Sequence, residues 1–245
     1  SREEAVFSSV FTDEAGIGFA NGGQGINAEY VFFINTASTG PSAIWNGSYF
    51  ALSRANRVIT FADKIYPNAS TTDQAIISRL KAEALVLRAL AHLKIMAYFS
   101  TDLKNDNALA GVLANRIIET SETLPRSTNG EFYAQIHSDL DNAISIFNTL
   151  TPLTYSGNSA TYYANANLAK ALKARAYSYK GDYTNAETWA NAVINTSGIT
   201  LANTSDYKLL FWNDNEPANK EVIFRLRRTA AQNSQGTNMH NGWCS

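Results

Sequence analysis

The sequence predicts a mainly α chain, a tetratricopeptide-like α-α superhelix of stacked helix hairpins with long structured loops and a few short strands. Three observations predict it. The first is a repeat: Ala82-Glu83-Ala84-Leu85-Val86-Leu87-Arg88-Ala89 returns as Ala169-Lys170-Ala171-Leu172-Lys173-Ala174-Arg175-Ala176, with Ala, Ala, Leu, Arg and Ala in the same places. Small alanines let two helices approach closely, and a helix pair that cannot bury its own apolar face must stack on a neighbour. The second is the run from Tyr177 to Tyr183, where Gly181 can take the positive φ that ends one helix before its partner begins. The third is apolar residues recurring at spacings of three and four through much of 41–196.

Taken in order, residues 2 to about 15 read as a weak helix with Ala5, Val6, Val10 and Phe11 on one side. From Gly16 to Gly40 the chain is rich in Gly and Asn, with Phe19, Tyr30, Phe32 and Phe33 between, so a long ordered loop is expected, with a short strand at 30–34. A long helix starts near Pro41, carries Trp45, Tyr49, Leu52, Asn56, Ile59, Ala62 and Tyr66 on its core face, and ends at Pro67. Thr71 with Gln74 suggests a capping box for the next helix. There Ile77, Leu80, Ala84, Leu87, Ala91, Ile95 and Tyr98 form one stripe, while Leu85, Ala89, Leu93 and Met96 form an adjoining one. Two apolar faces predict a helix packed on both sides. The pattern breaks over 100–127, where Val112-Leu113 and Ile117-Ile118 suggest short extended pieces. Thr128 with Glu131 then opens a helix facing inward through Tyr133, Ile136, Leu140, Ala143 and Phe147. Helices at about 160–180 and 183–196 follow, and the alternation from Glu221 to Arg227 suits a strand. The expected organisation is one domain over 1–245, with hairpins at about 41–99, 128–149 and 160–197 and a loop and strand region at about 198–245.

Composition narrows the function. The 245 residues are 45% hydrophobic and 11% aromatic, enough for a sizeable core, while 17% charged is below the usual quarter and Asn, Ser and Thr are abundant. Such a surface suits uncharged polar ligands. A net charge of -1 leaves no overall electrostatic footprint for nucleic acid or anionic lipid. No apolar run reaches the roughly 18 residues that span a bilayer. Cys244 is the single cysteine, so no internal disulfide is expected. The chain begins at Ser1 and stops after Ser245, and reads as a processed or truncated portion of something longer.

The order of these pieces resembles the SusD/RagB family of nutrient-binding outer-membrane lipoproteins. The resemblance sits in Trp45, Tyr49 and Ala55-Asn56-Arg57-Val58-Ile59, then in Ala82-Glu83-Ala84 with Leu87-Arg88-Ala89. It continues in Leu124-Pro125-Arg126-Ser127-Thr128 before Tyr133-Ala134-Gln135-Ile136, in Ala171 to Tyr183, and in Asn219-Lys220-Glu221-Val222-Ile223-Phe224. It implies a non-catalytic capture protein, lipid-anchored on the outer surface of a Bacteroidetes-type Gram-negative cell. It also implies delivery of an oligosaccharide or other nutrient to a SusC-like TonB-dependent transporter. The lipidated N-terminal Cys of the family is missing, so any membrane attachment is expected through an anchor outside this segment.

Glycan binding needs flat apolar faces for sugar C–H groups and amides or hydroxyls for sugar hydroxyls. Phe19, Asn21, Gln24, Asn27 and Tyr30 offer both within one loop, and Trp243 beside Asn238 and Asn241 offers a second candidate. The plainer alternative is that Phe19, Tyr30 and Trp243 plug their segments onto the helices. For catalysis the sequence is poor. His92 reads as a packed or partly exposed helical residue, and His137 and His240 have no Cys or carboxylate at metal-ligand spacing. Gly22-Gly23-Gln24-Gly25 lacks the Lys-Ser/Thr of a phosphate loop and reads as a turn. Asp139 and Asp141 read as a solvated helix face, and Arg88 and Arg175 as matched ties within their hairpins. Asn56, on an apolar stripe, reads as an inter-helix tie, because a buried unpaired amide costs roughly 1–3 kcal/mol. No cofactor, metal or nucleic acid is expected. The rival reading is a tetratricopeptide-type scaffold that binds a protein or peptide.

Overall fold

The computed structural model describes residues 2–12, 32–152, 157–196, 198–207 and 221–226. The chain divides into two compact units, Ser1–Phe50 with Arg227–Ser245, and Ala51–Leu226. Six α-helices lie among the described residues: α1 (Arg2–Val10), α2 (Thr39–Ile65), α3 (Thr71–Phe99), α4 (Asn129–Thr149), α5 (Ala166–Lys180) and α6 (Tyr183–Ile194). The mainly helical, hairpin-based class read from the sequence is the observed one.

In the first unit Phe7 and Val10 of α1 are buried, and the Phe7 ring packs on the start of α2 at Gly40. A methyl group on Gly40 would lie 2.8 Å from that ring, so only glycine permits this approach. The helix α2 begins two residues before Pro41, which therefore sits in its first turn rather than at its first position. Trp45 and Tyr49, expected in the core, stack on each other at 4.6 Å and are only half-buried.

The second unit holds the stacked frame. α3 packs mainly on α4, α4 on α5, and α5 on α6. Ala82 and Ala89 of α3, and their repeat counterparts Ala169 and Ala176 of α5, are all fully buried, as close helix approach requires. Leu85 and Leu172 are buried in register as well. The caps are readable residue by residue. The box at Thr128 and Glu131 forms with both reciprocal bonds, and Gly181 closes α5 with φ of 82°. The cap of α3 is Ser70 accepting from the Asp73 backbone, one residue ahead of the Thr71–Gln74 box read from the sequence. The helix after Gly157 is shorter than expected, since residues 157–162 form a 3-10 segment and α5 starts at Ala166.

Among the described residues none of the expected strands forms. The 100–128 connection instead carries one bridge, Leu109 to Thr128. It is held by side chains that reach its carbonyls. Arg126 donates to Phe99, Leu109 and Ala110, Asn129 to Asp102 and Asn105, and Tyr133 to Leu103. The 221–226 segment joins no ladder among the described residues; its Arg225 amide donates to the Thr161 carbonyl at 2.9 Å, and the Arg225 guanidinium donates to the Thr161 hydroxyl and lies over the Tyr162 ring.

Candidate functional site

Phe19, Asn21, Gln24, Asn27, Tyr30 and Trp243 lie outside the described residues. After residue 12 the described chain resumes at Phe32, which takes a left-handed φ of 56°, uncommon for any residue but glycine. Its ring meets Phe11 edge-on at 5.4 Å, and Phe11 stacks on Phe7 at 5.0 Å. Phe32 and Phe33 nevertheless stay 62% and 58% exposed. The chain then turns into α2 through Asn35, whose side-chain oxygen accepts from the Ala37 amide while Ser38 Oγ accepts from the Asn35 amide. Two exposed aromatic rings on a pinned turn are the sort of flat apolar surface a sugar face can cover. Composition had placed Phe32 and Phe33 in the loop without distinguishing them from its other aromatics.

The second unit is tied by a buried polar cluster. Arg88 donates through Nε and Nη2 to the two Asp139 oxygens at 2.8 and 2.6 Å. Its Nη1 donates to Asn56 Oδ1 at 2.9 Å and to the Asn115 carbonyl at 2.8 Å. Asn56 in turn donates to the carbonyls of Ala114 and Arg116, both at 2.8 Å, and Gln135 donates to Asp139 at 2.8 Å. Asn56 is thus the tie its apolar stripe predicted. Asp139 is not a solvated residue but a buried one, because the carboxylate is the counterion of Arg88. Burial pushes its carboxyl above the ordinary range, and the guanidinium pulls against that. The match of Arg88 with Arg175 fails in environment, since Arg175 is exposed. In α5 the buried cation is Lys173, which pairs with Asp141 and lies 4.2 Å from the Trp189 ring centre.

Two histidines lie between helices. His92 is fully buried against the edge of Phe132 at 5.3 Å, with neither ring nitrogen hydrogen-bonded. Burial first, and the Arg88 charge second, hold its pKa down at about 3. His137 stacks on Tyr177 at 4.2 Å, its nitrogens also unpartnered, and burial followed by Lys173 lowers it to about 4. Among the described residues no group of three His, Cys, Asp or Glu side chains is placed to hold a metal.

The comparisons with known proteins agree with this architecture. A SusD-like family model, described as starch-binding associating with outer membrane, matches residues 1–178. The chain belongs to the SusD-like family. No curated protein matches the sequence. Among solved structures, a SusD superfamily protein from Bacteroides thetaiotaomicron VPI-5482 is 24% identical with a TM-score of 0.70, over 90% of this chain and 45% of its own. A SusD-like carbohydrate binding protein from Bacteroides vulgatus ATCC 8482 is also 24% identical, with a TM-score of 0.69 over 94% of this chain and 45% of its own. At that identity both establish the fold. A laminarin binding SusD-like protein is 26% identical, with a TM-score of 0.69 over 90% of this chain and 45% of its own. The chain spans less than half the length of each of these proteins. No described helix is long and apolar enough to cross a membrane.

Proposed function

We propose that this chain is part of a non-catalytic cell-surface protein that captures an oligosaccharide and hands it to a SusC-like TonB-dependent transporter. It acts at the outer membrane of a Bacteroidetes-type cell, held there by a lipid anchor outside this segment, and residues 1–245 form one portion of the longer protein. The observation that carries this reading is the family match over residues 1–178, supported by the likeness to a laminarin binding protein. The chemistry agrees with it. The sequence is poor in charge, and the turn that leads into α2 exposes two rings, Phe32 and Phe33. We place the sugar against Phe19, Tyr30 and Trp243, with Asn21, Gln24 and Asn27 taking its hydroxyls, and Phe33 extends that surface.

The test is a titration of the full-length protein with laminarin-derived and starch-derived oligosaccharides, read by tryptophan fluorescence and calorimetry. Tyr30→Ala, Phe33→Ala and Trp243→Ala are each expected to weaken binding about tenfold, the loss of one stacked ring at roughly 1–1.5 kcal/mol. Saturable binding of a peptide with no response to any sugar would replace this reading with the scaffold. Sustained turnover of a sugar would make the protein an enzyme.

A further inference from the structure

We propose that His92 is an acid-operated latch beneath the connection 108–118: a proton on its ring frees that segment while the helices stay stacked. The device belongs to the second unit and is independent of any sugar. His92 follows Arg88 by one turn of α3, is fully buried, and has no hydrogen-bond partner on either ring nitrogen. A neutral imidazole can be kept there at the cost of its lost hydrogen bonds. An imidazolium needs water or a counterion.

The surroundings supply neither. The pairs Arg88 with Asp139 and His92 with Phe132 set α3 antiparallel to α4, so the ring stands opposite a phenyl group rather than a carboxylate. From α3 the nearest charge is the Arg88 guanidinium, of the same sign as a protonated ring. From α4 the carboxylate is Asp139, whose two oxygens already accept from Arg88. From α2 the polar group is Asn56, a neutral amide. From the connection, the Ala114 backbone lies against the ring and favours a proton on it, but its carbonyl already accepts from Asn56. The cation two residues further on, Arg116, is paired with Glu122. A proton on His92 therefore adds a second positive charge to a buried cluster that holds one carboxylate.

That charge is relieved by admitting water, and the ways in differ in what they give up. Parting α3 from α4 would expose Leu93, Ile95, Met96, Phe132 and Ile136. Over 108–118 the connection buries only Ala110, Gly111 and Ala114. It is held by side-chain donors, Asn56 at Ala114 and Arg116, Arg88 at Asn115, and Arg126 at Leu109 and Ala110. Water can replace those bonds, and little apolar surface is lost with them, so the connection opens before the helices do.

The experiment is hydrogen–deuterium exchange on the full-length protein between pH 7 and pH 4, with rates corrected for the intrinsic pH dependence of a free amide. Peptides spanning 105–128 carry the reporters, the Ala110 and Ser127 amides, which donate to the Ser127 and Gly111 carbonyls. An open state that takes the proton near the ordinary imidazole value gains on the closed one by about tenfold per pH unit below about 6.5. Protection of the reporters is expected to fall by that factor while peptides of α4 and α5 keep theirs. In His92→Leu and in His92→Gln, which cannot take the proton, reporter protection should no longer depend on pH. Using both variants separates loss of the proton site from a packing defect of either one. Loss of protection in α4 and α5 in parallel with the reporters would mean that the unit opens as a whole, and would overturn the proposal. So would a pH dependence that survives in both variants, or reporters equally protected at pH 7 and pH 4.

Discussion

Replacing Asp139 by Leu tests whether the Arg88 cluster acts as one unit. The substitution leaves a guanidinium buried, with Asn56 Oδ1 and the Asn115 carbonyl as its remaining acceptors. Stranding a buried charge in this way costs about 3–5 kcal/mol. That is a large share of the 5–15 kcal/mol that holds a typical domain together. Arg88→Met is expected to cost less, about 2–3 kcal/mol, because burial already pushes the Asp139 carboxyl up and it can take a proton to become neutral. The double variant Arg88→Met/Asp139→Leu removes both charges and fills similar volume. It should lie within about 1–2 kcal/mol of the unmodified protein, far above the sum of the singles. Urea denaturation at neutral pH, with the slopes compared to confirm the same cooperative unit, measures all four corners of the cycle. If the double variant is as destabilised as the two singles added together, Arg88 and Asp139 do not act as a pair.

Two further predictions concern single positions. His92 stays neutral in the folded chain down to about pH 3, whereas in the unfolded chain it takes a proton near pH 6.5. Between those values only the unfolded state gains the proton, so stability should fall as pH drops from about 6.5 to about 3, by up to ~1.4 kcal/mol per unit from this residue. His92→Leu should flatten that part of the curve in urea titrations at several pH values, leaving a smaller slope from His137. An unchanged slope would place the acid sensitivity elsewhere. Gly181→Ala should cost about 1 kcal/mol, because φ of 82° penalises any Cβ. The Lys104 side chain that this Cβ would meet at 3.4 Å can move aside, so a much larger loss in thermal melting would mean the turn is constrained by something other than its backbone.

Helices, caps and their turning points were legible because each rests on local chemistry. Thr128 with Glu131, Gly181 and the repeated alanines need only their neighbours in sequence. What failed was the pairing of charges. Asp139 and Asp141 stand two apart on α4 and look alike in the sequence, yet one is buried on Arg88 and the other is exposed on Lys173. Nothing local separates them, because the difference is made by residues about 51 and 32 positions away. Among the described residues, the short pieces at Val112-Leu113 and Ile117-Ile118 and the alternation over 221–226 join no ladder, for a related reason. Apolar alternation describes a face but not a partner, and in this chain side-chain donors satisfy the backbone that a ladder would have used. The outward apolar face of α2 was hidden in the same way. Its Val58 and Phe61 fit a helical period, and only packing reveals that they are turned away from the core.

The repeat itself gains meaning from where its two copies agree and where they part. Alanines at two matched positions, Ala82 with Ala169 and Ala89 with Ala176, vanish into helix contacts in both, so the repeat encodes spacing between helices. The arginines diverge: Arg88 meets the connection 100–128, where the Asn115 carbonyl accepts from it, while Arg175 is exposed. Arg88 and Asn56 supply donors at Ala114, Asn115 and Arg116. A repeat that set both packing and polar contacts would leave no room for an individual loop between its units. By confining the repeat to packing, the chain frees Arg88 of the first copy to hold an irregular segment still. That is the condition under which a stacked helical frame can carry loops shaped for a ligand, and it is a property of Arg88 that Arg175, exposed on α5, does not share.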